Sequence, residues 1–86
     1  MAVIDQLEAF VLAAETGSFS AAARRSGKAQ SAVSTAISNL ELDSNVELFD
    51  RSNRNPVLTE SGQALLEYAR TVLHSQREFR VHAQAL

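Results

Sequence analysis

A chain of 86 residues has room for one domain around one modest core. Its apolar fraction of 45% is ordinary for a globular protein, no run approaches the roughly 18 apolar residues of a membrane span, and the lack of cysteine excludes disulfides and thiolate metal sites. The formal net charge of −2 argues mildly against nucleic acid, because affinity for DNA rests on Lys and Arg neutralising phosphates.

That average conceals an uneven distribution along the chain. The N-terminal Met1-Ala2-Val3-Ile4-Asp5 has no basic segment followed by an apolar one, so it is not read as a secretory signal and a cytoplasmic location is expected. A first helix is predicted from Asp5 to Thr16, with Ile4, Leu7, Phe10, Val11 and Ala14 at helical spacing. Asp5 and Glu8 read as a capping box, and Gly17 as the stop. The residues up to Gly17 carry three acids (Asp5, Glu8, Glu15) and no base. A second helix is predicted behind the N-cap Ser18, presenting Phe19, Ala22 and Ala23 and ending near Ser26, where Gly27 reverses the chain. A third runs from Gln30 to Asp43 on the stripe Val33, Ile37 and Leu40, closed by Asn45, which tolerates positive φ. From Ser18 to Leu40 there are three bases (Arg24, Arg25, Lys28) and no acid. This is the only stretch where an anion is welcome.

Two short extended segments follow, Leu48 to Arg51 and Pro56 to Thr59, joined by the turn-rich Ser52-Asn53-Arg54-Asn55 into a predicted small hairpin. Thr59 caps a last helix reaching towards the C-terminus, which at 1.5 Å per residue spans roughly 35–40 Å. Such a helix is too long for the small domain to cover. Residues 1–58 are therefore expected to form the compact unit and residues 59–86 the helix that leaves it.

The joint between the second and third helices carries a functional signal. Ala23 lies four residues before Gly27 and Val33 six after it. A helix-turn-helix needs a small residue where the helices cross, a glycine at the turn, and a branched apolar residue to seat the second helix. Any helical hairpin satisfies part of this pattern. The outer side of the third helix sharpens it. With Val33 at 0° and about 100° per residue, Ile37 and Leu40 fall within about 40° of it. Ser31, Thr35 and Ser38 land opposite, with Ser34 and Asn39 on the flanks. Solvated helices usually carry Glu and Lys on that side; this one has no charge until Glu41. Small hydroxyls and amides let a helix sit deep in a major groove and bond to base edges and phosphates. A serine-rich surface helix without a special role is the alternative. Arg54 at the tip of the hairpin suits a wing that enters a minor groove or lies on phosphate, whereas taken alone it reads as a solvated turn arginine.

Together, Leu7-Glu8-Ala9-Phe10, Glu15-Thr16-Gly17-Ser18-Phe19-Ser20-Ala21-Ala22-Ala23, Gln30-Ser31-Ala32-Val33-Ser34, Leu40-Glu41, Leu48-Phe49-Asp50-Arg51 and Leu58-Thr59-Glu60-Ser61-Gly62 are similar to the N-terminal domain of LysR-type transcriptional regulators. The resemblance covers nearly the whole chain at matching spacings. It implies a mainly α fold: a winged helix-turn-helix with a three-helix core, a small β-hairpin wing and a long C-terminal dimerisation helix. It implies sequence-specific binding of double-stranded DNA by a homodimer on an interrupted palindrome, with helix 30–43 in the major groove and wing 51–56 on the minor groove or backbone. Gln30, Ser31, Ser34, Thr35 and Ser38 then meet the groove, and Arg51 and Arg54 serve the wing. Ser18 and Ser20, at the start of the second helix, join the DNA-binding set. No cofactor is implied for this segment; a small-molecule effector would bind a C-terminal domain that these residues do not include, and a higher oligomer is implied for the full-length protein. Five positions depart from the family pattern. Ser26 and Lys28 stand where large apolar residues are usual, Thr35 and Ser38 where basic residues are common or frequent, and Asn45 where glycine is usual.

On the last helix, Leu65, Val72, Phe79 and Leu86 recur every seven residues, with Ala69, Gln76 and Ala83 alongside, and Leu66 and Leu73 make a second stripe. One stripe is expected to pack on the domain, leaving the heptad line for a partner helix; a frayed chain end is the alternative. His74, Glu78 and His82 share a face in the manner of metal ligands, but nothing supplies a fourth ligand, and they are read as solvated, as are Arg70, Arg77 and Arg80. The chain has no convergent His, Asp and Ser or Cys set and no phosphate-cradling glycine loop, so no enzyme is expected. A helical protein-interaction module and another family of winged-helix regulators are the remaining rival readings.

Overall fold

Amphipathic periodicity over the first 44 residues produces three helices, α1 (Val3–Thr16), α2 (Phe19–Ser26) and α3 (Gln30–Ser44), followed by the strands β1 (Phe49–Asp50) and β2 (Val57–Leu58) and the helix α4 (Glu60–Ala85). The structure, a computed structural model, describes residues 3–86. Met1 and Ala2, part of the N-terminal stretch read above as lacking a leader pattern, lie outside the described residues.

α1 begins before Asp5, which therefore lies inside the first turn and not at its cap. Its carboxylate acts on the positive end of the helix dipole, and the capping-box reading does not hold. The buried face of α1 is also broader than the predicted stripe. Gln6, Ala9, Phe10, Val11 and Ala13 are buried, whereas Ile4, Leu7 and Ala14 are only half-buried. The reason is packing on several sides: α2, α3 and α4 all lie against this helix. Gln6 is buried in this way with no hydrogen-bond partner for its Nε2 among the described residues.

The turns follow their residue chemistry. Ser18 Oγ accepts from Ala21 N–H at 3.1 Å and caps α2. Gly27 takes φ +72° and Lys28 N–H returns to Ala23 O at 3.1 Å, so the chain reverses within three residues. Asn45, at φ 57°, does the same after α3. The core between these helices holds Phe10, Val33, Ile37 and Phe49, with Phe49 edge-on to both Phe10 (5.8 Å) and Phe19 (5.5 Å).

The hairpin is antiparallel, pairing Phe49 with Leu58 and Asp50 with Val57. Its strands are two residues long, not four, because Pro56 has no N–H to extend the ladder. The Asp50 carboxylate accepts from the Ser52 hydroxyl at 2.7 Å and the Ser52 N–H at 2.9 Å, starting the turn. Those bonds, the hydroxyl first, hold its carboxyl below the ordinary 3.8.

Thr59 caps α4 by accepting from Gly62 N–H at 2.9 Å and ties it to the preceding loop by donating to Glu47 O at 2.5 Å. Gly62 has no room for a side chain: a Cβ there would lie 2.1 Å from the Leu48 carbonyl oxygen. Beyond it Leu66, Ala69 and Leu73 are buried on the domain, so Ala69, which lies alongside Leu65 and Val72 of the heptad line, also belongs to the inner stripe. No residue after Leu73 is buried. The molecule measures 48 × 26 × 22 Å, its length set by the projecting half of this helix, 26 residues or about 39 Å long.

Candidate nucleic-acid interface

The candidate surface is built by the way α3 divides its circumference. Val33, Ile37 and Leu40 are buried, at 2%, 0% and 8% exposure, and anchor the helix. On the other side Ser31 and Thr35 are exposed, and Ser34 and Ser38 are half-buried at its flanks. The four hydroxyl positions of this helix thus lie away from its anchoring stripe, whereas Gln30, in line with Val33 and Ile37, is exposed because it stands at the helix's first position, beyond the core. The N-terminus of α3 is capped by Ala29 without a side-chain hydrogen bond, leaving its first N–H groups open to an acceptor.

Ser18 and Ser20 occupy the start of α2 as expected, but both side chains are engaged within the protein. Ser18 caps the helix, and Ser20 Oγ accepts from Arg24 Nη1 at 2.9 Å, which holds that guanidinium along the helix surface. Lys28 in the turn faces Asp5 at 3.9 Å, with both groups about half exposed. Such a pair is weak and leaves the ammonium available.

The two wing arginines differ. Arg54 is exposed in the turn between the strands and makes no ion pair with the described residues. Arg51 is held on two sides: its Nη2 donates to Glu41 Oε1 at 3.0 Å, and its guanidinium carbon lies 5.3 Å from the centre of the Phe19 ring. Glu41 also accepts from Leu48 N–H at 2.7 Å and Phe49 N–H at 3.3 Å. Sequence reasoning assigned this acid no role, seeing it as the first charge after an uncharged helix face and as part of the Leu40-Glu41 motif.

On α4 the heptad line divides. Leu65 is half-buried against the core, whereas Val72, Phe79 and Leu86 are exposed by 44%, 74% and 107%. Tyr68, four residues before Val72 and 71% exposed, extends the same apolar line and was missed. Leu7, Phe10, Leu40, Leu65, Tyr68 and Val72 line a shallow depression that continues the stripe onto the domain. Arg70 is not simply solvated: it pairs with Glu67 at 2.6 Å and with Glu15 of α1 at 3.5 Å. Glu78 lies 3.5 Å from His82, and among the described residues no group of three or more His, Cys, Asp or Glu is arranged to hold a metal ion. No helix among the described residues is long and apolar enough to cross a membrane.

Residues 4–63 match the family model of bacterial regulatory helix-turn-helix proteins, lysR family. The chain is 46% identical over 82 residues, 95% of its length, to the HTH-type transcriptional regulator AceR of Acinetobacter baumannii, and covers 28% of that protein. In structure it is similar to the CbnR DNA-binding domain in its crystallised DNA complex, with a TM-score of 0.84 and 36% identity, covering 96% of this chain and 98% of that one. Full-length OxyR from Pseudomonas aeruginosa superposes with a TM-score of 0.93 at 30% identity, covering 99% of this chain and 28% of that one. The chain thus spans about a quarter of the length of most of these curated relatives, and less than half of any of them. Those relatives are regulators of transcription, in line with the expectation that no enzyme is present.

Proposed function

The chain belongs to the lysR family of bacterial regulatory helix-turn-helix proteins, and from that premise we propose that it reads double-stranded DNA sequence-specifically as one half of a homodimer. The observation that carries this reading is the outer face of α3, where Ser31, Ser34, Thr35 and Ser38, with Gln30 at the helix's N-terminal end, offer small polar groups without a single charge. Core packing does not require those identities. Entry into a major groove does, because short side chains admit the helix and their hydroxyls and amide bond to base edges. The wing carries Arg51 and Arg54 to the neighbouring minor groove or backbone, and the start of α2 brings Ser18 and Ser20 near phosphate, with Arg24 one turn further along.

The division of labour runs at the hairpin's end: residues 1–58 read DNA and residues 59–86 pair the protomers, although the first half of α4 also packs on the domain. The exposed line Tyr68, Val72, Phe79 and Leu86 supports that pairing, and two recognition helices fixed by such a dimer suit an interrupted palindrome. This segment needs no cofactor; a small-molecule effector would act through a further domain, and the full-length protein would assemble beyond the dimer. A cytoplasmic location follows from work on chromosomal DNA.

Selection of bound sites from random duplexes, followed by titration on the selected and a scrambled duplex, tests the reading. A two-fold symmetric site bound at least about a thousandfold above the scrambled one is expected. Equal affinity for both duplexes would leave only non-specific charge attraction and sink the proposal.

A further inference from the structure

One side chain joins the recognition helix to the wing. Glu41 lies near the end of α3, and its carboxylate spans the loop to β1: Oε2 accepts from the N–H groups of Leu48 and Phe49, and Oε1 from Arg51. Its side chain is only 11% exposed, so its bonds to the two backbone N–H groups are partly shielded and fix the carboxylate, while the pair opens to solvent on the side of Arg51, which is 40% exposed. Arg51 then lies over Phe19 at the start of α2, and the Phe19 ring meets Phe49 edge-on at 5.5 Å. The contacts close a circuit from α3 through β1 to α2 and back to the core.

We propose that Glu41 is a positioning residue for DNA recognition, fixing the wing relative to α3 through Arg51, so that Arg51 serves chiefly as a strut and Arg54 as the wing's contact. The inference rests on the reading that α3 and the wing engage one duplex. A helix and a wing that enter adjacent grooves must hold a fixed separation and angle, and a linkage formed before binding lowers the ordering cost on DNA. Electrostatics alone argues the other way. Glu41 is an anion beside a polyanion, so its removal should tighten binding if its only effect were charge. The two accounts therefore predict opposite signs.

Glu41→Gln separates them, because the amide oxygen still accepts from Leu48 and Phe49 while the amide nitrogen no longer accepts from Arg51. We expect normal cooperative melting and about tenfold weaker binding to the selected palindrome. The preference lost should be at base pairs flanking each half-site, with the core positions read by α3 unchanged. Arg51→Lys keeps the charge but not the flat fork that bonds and stacks, and is expected to lose the same flanking preference with an unchanged salt slope. The double variant should bind no more weakly than the weaker single one, since both break one linkage. Glu41→Gln binding as tightly as or more tightly than the parent with flanking preference intact, or losses that add in the double variant, would overturn the proposal. If Glu41→Gln fails to melt cooperatively, Arg51→Lys decides alone: intact flanking preference overturns the strut. A parent protein that does not distinguish selected from scrambled duplexes refutes instead the reading beneath.

Discussion

The projecting half of α4 gives the partner-helix reading its most exposed consequence. Phe79 is 74% and Val72 44% exposed, on one line of the helix. A phenylalanine presents on the order of 200 Å² in all, so about 150 Å² lies open at Phe79. Burying it at about 25 cal/mol per Å² contributes roughly 3.5–4 kcal/mol per protomer, or about 7–8 kcal/mol for the symmetric pair. Association costs roughly 4–15 kcal/mol, so the phenylalanines offset the lower part of that range and Val72, Tyr68 and Leu86 must supply the remainder. Val72→Glu combined with Phe79→Glu removes most of this contribution and places four carboxylates in the seam. The dimer constant is expected to fall by at least about a thousandfold, which is roughly 4 kcal/mol. Sedimentation velocity at micromolar protein should show a dimer for the parent and a monomer for the variant. Helix content by circular dichroism should stay nearly constant, because neither residue belongs to the domain's core. A double variant that still sediments as a dimer refutes the stripe as the pairing surface.

Three further outcomes are expected. Ser34→Leu and Thr35→Leu should abolish preference for the selected duplex by blocking groove entry, while melting shifts correspond to no more than about 0.5 kcal/mol; undiminished preference in both would move the reading surface elsewhere. Arg54→Ala should weaken binding and reduce the dependence of log affinity on log salt by about one unit per wing, and an unchanged slope would show that the wing tip touches no phosphate. Gly62→Ala should destabilise the domain by about 1–3 kcal/mol, although alanine is the better helix former by about 1 kcal/mol, because the new Cβ meets the Leu48 carbonyl; a variant that melts at or above the parent would refute that close approach.

What the sequence revealed and what it hid have a common physical cause. α3 was legible because it is buried on one side only, so Val33, Ile37 and Leu40 stand out at helical spacing and the uncharged serines stand out opposite. Its limits were legible because Gly27 and Asn45 adopt the left-handed conformation their chemistry permits. α1 was read off-centre because three helices surround it, and there Ala9, Ala13 and Gln6 fill close contacts without a hydrophobic signal. Glu41 was opaque for a different reason: its partners Leu48, Phe49 and Arg51 come within reach only once the chain turns at Asn45. The same geometry explains why net charge misleads for this molecule. Of its acids, Glu41 is engaged by Arg51, Glu15 by Arg70 and Asp5 loosely by Lys28, whereas Arg24, Arg25 and Arg54 form no ion pair with the described residues. A chain of net charge −2 can therefore still offer cations around an uncharged helix face. If that face reads DNA, few fixed charges contribute attraction common to all sequences. More of the affinity must then come from fit within the groove, where a wrong base pair leaves polar groups unpaired.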